Sequence, residues 1–343
     1  MSKKIINMPD LTAKNAIDFC YNDYHVENYD EVVFDHKYLG TVEPFGMLLV
    51  GSKIRNLIEK HKNIKFCDRN FKEKEYAAHM GFFQSVYQNY GKKPGEAAGN
   101  SKYVPITLLK TKELKLESYE RKEEVQETIE RKSTQLAEVL SQGNKNLQEI
   151  LTYSIRELIR NIVEHSTSET CWFAGQYWPT KNKVEIALLD EGVGITQALG
   201  VNPNLTINDD RDALLLSIEP GISGRVFKHK GKMRGQTNSI WDNSGYGLYV
   251  TSKICQEGGD FLICSGCYAL EIKDKNHRFF KTDFKGTAIR MTLNTSRLNK
   301  FSKYLINDIV SEGESSARTN ADKSVITASK VSRILNILEP DKK

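Results

Sequence analysis

Leu147, Ile150, Leu151, Ile155, Leu158, Ile159 and Ile162 recur at three- and four-residue intervals, and no other pattern in the chain restricts the fold as much. This period predicts a helix with one wide apolar stripe, which must be buried against other elements. Glu157 and Asn161 are four residues apart on it, so they stack on a single face. An acceptor-only carboxylate and a carboxamide one turn apart can hold a hydrated hard cation and a water together. Such residues are also common on solvated helix faces, so the pair gains meaning only from the loops downstream of it.

Thr170–Trp178 and Lys183–Asp190 read as two strands, joined by the hairpin material Pro179-Thr-Lys-Asn182. The second strand runs straight into Glu191-Gly192-Val193-Gly194. Asp190 closes an apolar strand, where an ionised carboxylate needs a donor, and the exocyclic amine of adenine is one. Gly192 and Gly194 let the backbone approach a flat ring closely, although a strand-end turn has the same pattern. Ser244-Gly245-Tyr246-Gly247-Leu248 passes from a loop into a helix, whose first N–H groups suit an anion. Lys228, Lys230, Lys232 and Arg234, in the long excursion before it, are either phosphate-neutralising or a solvated basic loop. Gly286-Thr287 opens a strand whose hydroxyl can support Asp190 through water.

In this order, Glu157-x-x-x-Asn161, Asp190-x-Gly192-x-Gly194, Gly245-x-Gly247-Leu248 and Gly286-Thr287 resemble the N box and three glycine boxes of the GHKL ATPase and kinase superfamily. The resemblance covers residues 146–295. It implies a Bergerat-type two-layer α/β sandwich with a mixed sheet, binding ATP and Mg²⁺, with an ATP lid over about 198–244. By position, Asn161 would hold Mg²⁺ and Asp190 the adenine amine. Gly192, Gly194, Gly245, Gly247 and Leu248 would line the nucleotide, and Thr287 would support the adenine site. Glu157 would orient or deprotonate the attacking water in a hydrolytic member.

The stretch Glu157-Leu-Ile-Arg-Asn-Ile-Val-Glu-His165 is most similar to anti-sigma-factor serine kinases, which read close to E-x-x-x-N-x-x-E-H and act on a separate STAS protein. A histidine kinase is not expected: residues 111–142 contain no histidine, and His61 and His79 lack an acidic neighbour. A gyrase-like motor is disfavoured because about fifty residues remain after the ATPase segment.

Towards the amino terminus, strands at Glu31–Asp35, 64–67 and 103–109 alternate with helices at 11–24, 44–61 and 73–87, which predicts a small α/β domain over 1–110. Pro105 marks the third strand as an edge. Val32-Val-Phe-Asp35 followed by Pro44-Phe45-Gly46 resembles a STAS domain over residues 28–90. In that family the turn reads Asp-Ser-x-Gly and its serine is phosphorylated; here Glu43 and Pro44 hold those positions, so no phospho-acceptor is present. Residues 111–145 are highly charged with sparse apolar points, predicting an exposed connector helix, either a solvated spacer or a dimer seam. Residues 298–343 read as a polar tail with amphipathic patches at 298–310 and 325–338.

The 343 residues, 39% hydrophobic and 27% charged, are those of a globular protein without a membrane-crossing run. The start lacks the apolar core of a signal peptide, so a cytoplasmic protein is expected. A net charge of +5 permits an anionic ligand without announcing a nucleic-acid partner. Cys264-Ser-Gly-Cys267 has no second ligand pair, and reduced thiols are expected for all six cysteines. Three functions stay open: a nucleotide-controlled switch that hydrolyses ATP, a serine/threonine kinase acting on a partner STAS protein, and a module that holds ATP or ADP without turnover. Each brings a protein partner or a homodimer contact.

Overall fold

The computed structural model describes residues 2–97, 102–230, 232–235, 245–300 and 303–319. The amino-terminal part runs β1 (Lys3–Asn7), α1 (Ala13–Tyr21), β2 (Glu31–Asp35), α2 (Pro44–Lys60), β3 (Lys65–Arg69), α3 (Glu75–His79) and α4 (Phe82–Ser85). β1, β2 and β3 lie side by side in that order, all parallel, with Val33 between Ile5 and Cys67. Parallel neighbours need crossovers, and α1 and α2 supply them. Pro44 occupies the first turn of α2, where its missing N–H would have had no partner anyway. Two expectations change here. β1 went unread because Lys-Lys-Ile-Ile-Asn holds only two apolar residues, and the helix over 73–87 is broken into α3 and α4 around Met80-Gly81.

The chain continues with β4 (Tyr103–Lys110), α5 (Thr111–Arg121), α6 (Val125–Ser141), α7 (Lys145–His165), β5 (Thr170–Trp178), β6 (Lys183–Asp190), α8 (Gly194–Leu199) and α9 (Asp210–Ser217). The hairpin β7 (Phe227–His229) and β8 (Lys232–Arg234) comes next, then α10 (Gly247–Gln256), β9 (Asp260–Lys273), β10 (Asn276–Asn294) and α11 (Lys303–Thr319). Of the stretch 198–244 expected as a lid, residues 231 and 236–244 lie outside the described residues, as does the amphipathic patch at 325–338.

Five strands form one sheet in the order β4-β5-β6-β10-β9. Every neighbouring pair is antiparallel, which corrects the expected mixed sheet. The reason is local. β9 and β10 are joined by Asp274-Lys275, both at positive φ (48° and 66°), the two-residue turn that suits antiparallel strands. Gly286-Thr287, expected to open a strand, lies inside one continuous β10, whose register against β9 shifts between Lys281 and Ala288.

The sheet is buried on both faces. Cys171, Phe173, Ile186, Leu188, Ile263 and Met291 pack towards α6, α7 and α10. The alternating residues Trp172, Ala174, Ala187, Leu189, Leu262 and Ala288 share a second core with α1 and α2 of the amino-terminal part. Each large apolar side chain fully removed from water contributes roughly 1.5–3 kcal/mol, so both faces carry substantial stabilisation. The second layer of helices makes three layers rather than the expected two. β4 also departs from the expected boundary at 110: it is an edge strand, but of this sheet.

The segment expected to be an exposed connector is a helical hairpin, α5 and α6, broken at Lys122, whose φ is 57°. α6 buries Ile129, Ala137 and Leu140 in the core it shares with α7. Its charges pair across the hairpin: Glu117 with Arg131 at 2.8 Å and Lys132 at 3.1 Å, and Glu123 with Arg131 at 2.6 Å. Charge density that reads as solvation in sequence is here the tie between two helices. Among the described residues no helix is long and apolar enough to cross a membrane.

Candidate functional site

α7 is started by Asn144, whose side chain accepts from the Leu147 N–H at 3.0 Å. Leu147, Leu151, Ile155, Leu158 and Ile159 are all buried, so the apolar stripe fixes the helix against the sheet. Its carboxyl-terminal turns bring Leu158, Asn161 and Ile162 to one wall of an open cleft. Asp190, Gly194, Gly245, Gly247, Leu248 and Thr287 line the same cleft. Seven of the nine residues picked from the sequence thus converge on one space.

Asp190 ends β6 and is only 1% exposed. Its carboxylate accepts from the Gly192 N–H at 2.8 Å and is also met by the hydroxyls of Ser166 and Thr287. Thr287 stands directly opposite it in the β6–β10 ladder, which places its hydroxyl on the carboxylate's side of the sheet end. Burial pushes the Asp190 carboxyl up to about 7, against the hydrogen bonds that favour the charged form. A buried carboxylate with hydroxyl and N–H donors but no cationic partner among these contacts is an acceptor still able to take a donor from a ligand.

Gly192 does not line the cleft. A Cβ there would fall 1.9 Å from the Ser166 carbonyl oxygen, so only glycine lets the turn press against the end of α7, where Val193 N–H bonds that same carbonyl at 3.0 Å. On the other side Ser265 accepts from Ile195 N–H at 2.9 Å and donates to the Gly286 carbonyl at 2.8 Å. Gly286 has φ 112°, and a Cβ there would lie 2.1 Å from the Asp190 carbonyl oxygen.

Glu157 is the other residue that stays off the cleft surface. It is 3% exposed, and its Oε1 accepts from Arg156 Nε at 3.0 Å and Arg160 Nη1 at 3.4 Å. Arg156 also donates to Glu130 of α6 at 3.1 Å, and Arg160 to Glu164 at 3.2 Å. Five charges of alternating sign therefore run through the helical layer beneath Asn161. The Cβ position of Gly247 is 2.7 Å from Glu157 Oε2, so the first residue of α10 rests on this carboxylate.

Ser166, Ser265 and the apolar lining residues Ile195, Leu199, Ile222 and Ile289 were not picked out from the sequence. Arg160 carried a signal, since a position three after Glu157 lies on the same helix face, whereas Arg156, its immediate neighbour, carried none. Serines held by tertiary contacts have no local signature. Lys228, Lys230, Lys232 and Arg234 lie on or beside the β7–β8 hairpin and are not among the described lining residues.

The cleft has apolar walls, one buried acceptor at Asp190, and the start of α10 at Gly247, whose first N–H groups would suit an anion; a purine nucleotide would find a partner for each of its parts here. Among the described residues no group of three His, Cys, Asp or Glu is placed to hold a metal ion. Asn161 would supply one protein oxygen, a ligand set that suits Mg²⁺ held mainly by phosphates and waters. No protein-family model matches the chain, and no curated protein is significantly similar to it.

Proposed function

We propose that this chain is an ATP-binding protein of GHKL type whose Mg²⁺-dependent site serves as a nucleotide-controlled switch with slow ATP turnover. The observation that carries this is the convergence of Asn161, Asp190, Gly194, Gly245, Gly247, Leu248 and Thr287, from four separate stretches, on one cleft. Asp190 would accept from the adenine amine, with Thr287 and Ser166 orienting its carboxylate. Asn161 would hold the metal and Gly247 would present the start of α10 to phosphate. Bound ATP·Mg²⁺ supplies a transferable phosphoryl group and the energy to bias two conformations.

Slow turnover is argued from Glu157. Its carboxylate is held by two buried guanidiniums and does not line the cleft, so it is poorly placed to meet an attacking water. The same observation favours a second reading, in which nucleotide is held without hydrolysis. Transfer to a serine remains open only to a separate partner chain. The STAS-like turn at Glu43-Pro44-Phe45 has no acceptor hydroxyl, and Phe45 N–H is bound at 3.2 Å by Glu185, a buried residue of β6.

The test is ATP affinity and turnover of the wild type beside Asp190→Asn and Glu157→Gln, with melting temperatures as folding controls. Loss of turnover with retained binding in Glu157→Gln supports the switch; tight binding with no turnover in the wild type supports the holding module. Acid-stable label on a partner protein supports the kinase. Absence of ATP binding by a folded wild type overturns all three.

A further inference from the structure

Glu191 lies between the acceptor Asp190 and the pinned Gly192, but its carboxylate meets the amino-terminal module rather than the cleft. Ser52 of α2 donates to Glu191 Oε1 at 2.5 Å and Arg55 Nη2 donates to the same oxygen at 2.8 Å. The guanidinium has little freedom. Arg55 is 5% exposed, its Nη1 donates to the Ser85 carbonyl at 3.2 Å, and its Cζ lies 4.1 Å from the centre of the Trp172 ring. A charge-assisted bond from a planar donor fixed on two other sides is directional as well as strong. The turn at 190–194 is therefore braced three ways: by Ser166 at the end of α7, by Ser265 and Gly286 in the sheet, and by α2 through Glu191.

The first two braces belong to the elements that form the cleft. The third comes from the amino-terminal module, which contributes no described lining residue. We propose that Arg55 is a positioning residue of the cleft: by holding Glu191 it keeps the Asp190–Gly194 turn in its binding geometry, so the docked module sets nucleotide affinity from outside the site. This rests on the nucleotide reading of the cleft. Linkage then makes the coupling reciprocal, and a protein that pulls on α2 weakens nucleotide binding by the same factor by which nucleotide weakens that protein's hold.

Amide hydrogen exchange on the nucleotide-free full chain, with titration of a fluorescent ATP analogue, tests the proposal on Arg55→Ala, Arg55→Lys, Glu191→Gln and the double variant Arg55→Ala/Glu191→Gln. We expect exchange of Gly192, Val193 and Ile195 to quicken, and the dissociation constant to rise, by about tenfold in each Ala or Gln variant. β5 and β6 should keep their protection, the double variant should be no worse than either single one, and Arg55→Lys should recover part of the loss. Unchanged exchange at the turn overturns the proposal. So does acceleration spread through β5 and β6, which marks general destabilisation, or losses that add in the double variant. A wild type that binds no ATP overturns the nucleotide reading, and the affinity claim with it, whatever the exchange pattern.

Discussion

Asp190 holds two demands in tension under the nucleotide proposal, since the fold buries a carboxyl group that the proposed adenine contact needs ionised. With its pKa at about 7, the folded protein binds a proton that the unfolded chain has already lost, across the window from the ordinary 3.8 up to about 7. That difference sets the sign. This group's penalty is absent below the unfolded value and grows as pH rises through the window, by a few kcal/mol at most. The nucleotide-free protein should thus lose melting temperature between pH 5 and pH 8, and Asp190→Asn should flatten that part of the profile. ATP binding should run the other way, tightening as pH rises because the ionised form is the acceptor. Calorimetric titration should show affinity falling below pH 7 by up to about tenfold per unit. In Asp190→Asn the dependence should vanish and binding weaken by about 1–3 kcal/mol, the cost of a mismatched buried hydrogen bond. A pH-independent wild type would remove Asp190 from the adenine contact.

Among elements, α6 is the one whose role changes most between sequence and structure. Glu130 is fully buried in it and answers Arg156 of α7. Removing one member of such a pair strands the other charge in the core, so Glu130→Ala should cost about 3–5 kcal/mol in denaturant unfolding. A cost below ~1 kcal/mol would mean that the pair is solvated. The elements most legible in the sequence were those with a strict period and a marked end. β5 and β6 were read to the residue, and α2 to within one, because Pro44 fixes its start and Asp190 the end of β6. What stayed hidden depended on partners far along the chain. No residue type announces the break at Lys122, since lysine reaches positive φ there only because the hairpin packs. The cleft residues were legible because close backbone approach demands glycine, and glycine shows in a sequence. Arg55 was not legible, because its partners Ser85, Trp172 and Glu191 come from three other segments.

At the scale of the whole molecule, the amino-terminal part is a third layer rather than an appendage. The apolar residues of β6 already hinted at it: Ile186 and Leu188 alternate with Ala187 and Leu189, so neither face was meant for water. The docking surface also holds a buried charge cluster, with Glu185 bonded by Lys183 at 3.0 Å, Arg290 at 3.1 Å and the Phe45 N–H. One cooperative unit is therefore expected. Scanning calorimetry should give a single transition with equal calorimetric and van't Hoff enthalpies, and two resolved transitions would show that the layers melt apart.

The sheet order has a further consequence during synthesis. β10 must insert between β6 and β9, so the surface that receives α1 and α2 is incomplete until residue 294 has left the ribosome. At ~5–20 residues per second, roughly 10–40 s separate the emergence of residue 97 from that moment. Throughout it the nascent module carries α2 with Phe45, Leu48 and Leu49 lacking the sheet they are built to meet. Ribosome-bound chains halted before β10 should therefore recruit holdase chaperones, and chains halted beyond it should let them go.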